Sequence, residues 1–161
     1  MDVLTVNLLC SILIFGIAAR IYVTPRLKSQ SPRTLLLPIL LLHGLRHLGL
    51  MFLSPGATYA GMPQQFARPA AFGDLLAAVL AIVAIPAVLT GSGAARILVL
   101  VFNVEGTLDL INAIVLANHY QVTNFTGPAY WIPAFWVPVL LVTHYITFLI
   151  LRRHWNSPSW R

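Results

Sequence analysis

Three of the chain's four acidic residues, Asp74, Glu105 and Asp109, stand inside stretches apolar enough to cross a bilayer. A fourth such stretch carries His43-Gly44-Leu45-Arg46-His47. An ionisable side chain at the centre of a bilayer costs about 2.5–3.5 kcal/mol on insertion scales, so it faces a partner, a cavity or a pathway. Carboxyl groups and imidazoles held together in apolar surroundings can donate and accept protons. A neutral carboxylic acid in such a pocket could protonate an olefin, the first step of isoprenoid isomerisation or cyclisation, while an imidazole removes a proton elsewhere. In that reading Asp74, Glu105 and Asp109 are the acids, His43 and His47 the bases, and Arg46 tunes them and holds the ligand. Asn103, Asn112, Trp136 and His144 complete the expected ligand-facing set.

The elements that position these groups follow from composition. The 161 residues are 58% hydrophobic and 9% charged, with mean hydropathy +0.83. Soluble domains carry about 25% charged residues, so the chain belongs to the membrane class. Five apolar runs, at 3–23, 34–53, 70–90, 96–117 and 130–151, match the ~20 residues a spanning helix needs. The fold expected is all-α, one polytopic bundle of five transmembrane helices making a single domain over 1–161. Pro25 and Pro32, Ser54-Pro55-Gly56 and Gly91-Ser92-Gly93 break the runs apart. Five spans do not divide into two equal inverted repeats. The start lacks a basic n-region and an evident cleavage site, which reads as a retained first span. Cys10 among apolar neighbours reads as a packed thiol, and it excludes any multi-cysteine metal centre.

Basic residues set the orientation. Arg20, Arg26, Lys28 and Arg33, then Arg96, then Arg152, Arg153 and Arg161 fall on one side, against Arg68 alone on the other. The positive-inside rule puts the N-terminus outside and the C-terminus in the cytoplasm. The net charge of +6 is therefore an orientation signal, and nucleic acid is not an expected partner. Tyr130 and Trp131 on the outer side, and Trp155 and Trp160 on the inner, are the expected interfacial anchors. Gln64-Gln65-Phe66 reads as a connector that could also form a short helical turn over the bundle mouth.

The helical rise then gives each polar group a depth. His43 and Glu105 fall near the midplane, with Arg46, His47 and Asp109 roughly 4–6 Å outward, Asp74 about 9 Å outward and His144 roughly 6 Å inward. His43, Arg46 and His47 share one α-helical face, as do Glu105, Asp109 and Asn112. Asn103 and Thr107 form a second stripe, and Gly106 between them admits a close neighbour. Arg46 and Asp109 invite a pair. Pro86, Pro133 and Pro138 each leave a helix carbonyl unserved and can widen the bundle.

Other functions are weighed by the same residues. The cluster could simply hold helices in register, although interhelical polar contacts average only ~0.6 kcal/mol. A metal centre of the His and carboxylate pairs conflicts with Arg46 on the same face, and a bis-histidine haem needs imidazoles at one depth. No metal or cofactor is expected. A proton pathway would need polar groups through both halves of the bundle, and here they concentrate in the outer half. Nucleotide-binding fingerprints do not appear.

Two runs, Phe66-Ala67-Arg68-Pro69-Ala70-Ala71-Phe72-Gly73-Asp74 and Phe102-Asn103-Val104-Glu105-Gly106-Thr107-Leu108-Asp109, together with the His43 region and Pro138 to His144, resemble a family of small hypothetical bacterial inner-membrane proteins. The resemblance covers most of the chain from about residue 40. It implies a bacterial host and the cytoplasmic membrane, and it brings no activity. Its members often carry an apolar or aromatic residue at the position of Glu105, which favours Asp74 and Asp109 as the working acids. The expectation is a site in the outer half of the bundle that binds or transforms a small lipid-like or isoprenoid-like molecule. A non-catalytic membrane subunit is the alternative, and a proton-coupled transport component the second. The partners expected are membrane lipids and the hydrophobic ligand, with self-association in a homo-oligomer allowed.

Overall fold

The computed structural model describes residues 3–156 and Trp160; Arg161, counted in the basic tail, lies outside the described residues. Five helices are long and apolar enough to cross a membrane: α1 (Val3–Lys28), α2 (Pro32–Leu53), α3 (Gln64–Thr90), α4 (Ala95–His119) and α5 (Gly127–His154). No strand occurs among the described residues. Helix is what an isolated apolar run must adopt in hydrocarbon, because only intrahelical bonds satisfy its backbone.

Each helix has a local cause. Ser31 caps α2, accepting a hydrogen bond from the Thr34 amide at 3.2 Å, with Pro32 at the first helical position. Gly91 ends α3 in the left-handed conformation (φ 64°), its amide bonded to the Ala87 carbonyl. α3 begins at Gln64, so Gln64-Gln65-Phe66 is its first turn and not a separate turn over the mouth. The connector from Ser54 to Pro63 is tied instead to the connector before α5 and to the first turn of α5, through Tyr59 N–H to Phe125 O and Ala129 N–H to Ala57 O, both 2.9 Å.

The helices are not uniform. α1 turns π-helical at Ala19–Val23 and 3-10 at Thr24–Lys28, and α5 is π-helical at Ile132–Trp136 around Pro133. The second half of α2, Leu45–Leu53, is 3-10. Its buried residues, with His43, recur every three positions: His43, Arg46, Gly49 and Phe52. That is the 3-10 repeat.

α3 is the central helix. A face of Ala67, Ala70, Ala71, Ala77, Ala78, Ala81 and Ala84 is buried, which lets α2 and α4 close on it. α1 is peripheral: Leu27, near its end, is its one buried residue among those described, and it packs along α5. Cys10 is exposed on it, contrary to the packed thiol expected, because an apolar neighbourhood in sequence is no sign of burial on a helix that is apolar all round. Two apolar cores result. One, at the end carrying the basic connectors, includes Leu36, Leu40, Ala81, Val99, Phe102 and Ile150. The other, at the far end, includes Phe52, Phe66, Leu110, Val122, Ile132 and Leu140. Trp160 packs into the basic-end core and donates to the His154 carbonyl at 2.7 Å. The polar residues fill the layer between the two cores.

Candidate functional site

Arg46 is the hub of that layer and is completely buried. Its Nε donates to Asp74 Oδ1 at 2.7 Å, and its Nη2 to Asp109 Oδ2 at 2.6 Å. Its Nη1 donates to the Gly106 carbonyl at 3.2 Å and to His144 Nε2 at 3.1 Å. One guanidinium therefore ties α2 to α3, α4 and α5. The rigid fork of the guanidinium suits it to several acceptors at once.

The imidazole tautomers follow from the donors. A guanidinium only donates, so His144 Nε2 must be an acceptor. Its Nδ1 then carries the hydrogen and donates to Asn103 Oδ1 at 2.8 Å, while Asn103 Nδ2 donates back to the His144 carbonyl at 3.2 Å. His43 meets Thr143 Oγ1 at 2.9 Å through Nε2. The Thr143 hydroxyl spends its one hydrogen on its own helix, on the carbonyl of Val139 or Leu140. His43 Nε2 is thus the donor, and His43 Nδ1 is left a buried acceptor without a partner.

Three glycines make the layer thin enough to close. A Cβ on Gly49 would stand 2.2 Å from Asp74 Oδ2, and one on Gly73 would stand 1.7 Å from Asp109 Oδ1. A Cβ on Gly106 would meet Arg46 Nη1 and His144 Cε1, each at 2.6 Å. Every charged group of the network therefore rests against a glycine of a neighbouring helix. Gly106 answers the expectation of close approach. Gly49 and Gly73 went unremarked in the sequence, although Gly49 continues the His43, Arg46 period and Gly73 adjoins Asp74.

Several expectations are corrected. Asp74 is not one turn outward of the cluster but shares Arg46 with Asp109. His144 is not a turn away from His43: their ring centroids are 4.3 Å apart. α2 and α5 mix helical types, 3-10 turns rising about 2.0 Å per residue against 1.5 Å in α, and α3 starts six residues early at Gln64, which moves its midpoint toward Asp74. The two imidazoles touch, and Phe102 packs on His43 at 5.0 Å and on His144 at 5.3 Å, leaving no space for a planar macrocycle between them. His47 is exposed and, among the described residues, bonds only to the Gly44 carbonyl, at 3.0 Å. The 3-10 geometry explains this, because three residues complete a turn and the fourth points elsewhere. Asn112 is exposed. Six residues beyond Gly106, it lies about 120° around α4 from the buried face. Glu105 is half-buried, with no ion pair to Arg46 and Oε2 lacking a hydrogen-bond partner. Trp136 is buried in the far-end core beside Trp131 (6.1 Å). That neighbour is five residues back, the spacing of a π turn.

A cleft of about 210 Å³ opens on this network. Asp74 and Asp109 form its polar floor, and its walls include Leu4 and Leu8 of α1, Phe66 and Ala70 of α3, Leu110 and Ala113 of α4, and Val137 of α5. Asn118 and Thr123 stand nearer the far-end connectors. His43 and His144 do not line it. Arg46 fills the place between the carboxylates that a cation would otherwise take.

Fold and site together define a class: a bundle of five membrane-length helices with an ionic layer between two apolar cores. The family model for a domain of unknown function (DUF8737) matches residues 3–152, and the chain belongs to that family. No curated protein and no solved structure matches it.

Proposed function

We propose that the chain is a multi-pass protein of the bacterial cytoplasmic membrane, N-terminus outside, that binds a small hydrophobic molecule in the cleft above Asp74 and Asp109. The observation that carries this reading is a cleft with apolar walls whose floor is two carboxylates sharing one guanidinium. Ligand pockets combine mostly apolar walls with a few converging polar groups in this way. The orientation rests on the basic connectors, which lie at the end opposite the cleft.

Charge gives the polar end of the ligand. Asp74 and Asp109 offset one positive charge with two carboxylates, and Glu105 adds a third acidic group nearby. A hydroxyl or amine head, which donates hydrogen bonds, fits that floor, and an anionic head does not. Any proton exchanged with the bound molecule would pass through Asp74 or Asp109, because the imidazoles stand behind Arg46.

A second reading has its own observation. Arg46 joins four helices and is almost fully satisfied, which a purely structural clamp would also show. Asp109→Asn separates the two. It leaves Arg46 balanced by Asp74 alone, so the ligand reading expects a stable protein that loses its co-purified hydrophobic molecule in native mass spectrometry. A thermal midpoint lowered by many degrees, with no bound mass in either protein, would favour the clamp.

A further inference from the structure

A second groove lies at the opposite end of the molecule, between α1 and α5. It encloses about 470 Å³, and Ile12, Gly16 and Val23 of α1 face Leu141 and Leu149 of α5 across it. The π-helical turn Ala19–Val23 lies along it, and Arg20 in that turn is part of its lining. From Ile12 to Val23 the groove runs about 16 Å along α1 by helical rise, close to half the ~30 Å hydrocarbon core, the depth of one lipid leaflet.

Its charge is one-sided. Arg20 is exposed and makes no hydrogen bond or ion pair with another described residue. Arg26 and Lys28 follow on the same helix, and Arg152 and Arg153 close α5 at the same end. None of the described acidic residues belongs to that end: Asp74, Glu105 and Asp109 stand in mid-bundle. An apolar groove one leaflet deep, with an unpaired arginine at its basic mouth, is complementary to one kind of amphiphile. Basic pockets between membrane helices on the cytoplasmic side recognise anionic lipid head groups.

We propose that this groove holds one anionic phospholipid, its acyl chain between α1 and α5 and its phosphate at Arg20. The site rests on the membrane reading above but not on the cleft at Asp109. A Cβ at Gly16 has nothing within 4 Å, so a larger side chain there enters the groove without meeting backbone.

The test is native mass spectrometry of the full chain released from vesicles of equal phosphatidylglycerol and phosphatidylcholine. The wild type is expected to retain one phosphatidylglycerol in preference to phosphatidylcholine. Arg20→Gln should lower that preference about fivefold, the worth of one basic group at a charged surface. Gly16→Leu should remove the bound lipid while Asp109→Asn leaves it in place. An inserted chain that retains both lipids equally, or whose preference survives both groove substitutions, overturns the site. A chain that never enters the vesicles overturns this site and the membrane reading together.

Discussion

Arg46 is the residue on which the ionic layer depends. Removing one partner from a buried ion pair typically costs 3–5 kcal/mol, because the other charges stay behind uncompensated. Arg46→Ala is therefore expected to lower the thermal midpoint in detergent sharply. Replacing all three members together, Arg46→Leu with Asp74→Asn and Asp109→Asn, should recover most of the loss, since no buried charge remains. A triple variant as unstable as the single one would show that packing around Arg46, and not charge, sets the stability. The glycines predict a parallel contrast. Gly73→Ala puts a methyl 1.7 Å from Asp109 Oδ1 and should cost about 1–3 kcal/mol in the same assay. Gly16→Ala meets open space and should leave the midpoint within the error of the assay. His47→Ala should likewise change neither stability nor ligand retention, because His47 is exposed.

At the scale of elements, the five helices were legible because length and hydropathy report what hydrocarbon demands of a backbone. Their boundaries were less so: α3 starts six residues before its apolar run, at Gln64, where Pro63 and not hydropathy sets the start. The Arg46–Asp109 pair could also be read, since opposite charges in apolar runs at similar depth have few other partners. The companions Asp74 and His144 could not. Their positions depend on the 3-10 half of α2 and the π turn of α5, and no hydrophobic period announces a local change of helical type. The repeat His43, Arg46, Gly49, Phe52 was nonetheless present in the sequence, and an α-helical assumption assigned His47 to the same face. Long 3-10 runs are uncommon and often mark strain or a hinge. Gly49→Ala tests whether this one is needed: a Cβ there meets Asp74 Oδ2 at 2.2 Å, so the variant should be less stable and should lose the bound molecule as well. Full stability and retention would mean that α2 adapts freely.

At the scale of the whole molecule, the arrangement is two apolar cores around an ionic layer, with a cleft toward one end and a basic surface at the other. The proposed orientation rests on that asymmetry. With Cys10→Ser as background, a cysteine at Thr58 is expected to react with a membrane-impermeant maleimide on intact cells, and one at Ser92 only after lysis. The reverse pattern would invert the topology and move the cleft to the cytoplasmic side. The central claim remains that the cleft above Asp74 and Asp109 is occupied by a hydrophobic molecule. Its most direct measurement is native mass spectrometry of the wild type beside Ala113→Trp, which fills the cleft from α4 one turn from Asp109, at a residue that is not itself a partner of Arg46. A bound small molecule is expected on the wild type and is expected to be absent from a folded Ala113→Trp protein. The same bound mass on both, or none on the wild type, would contradict it.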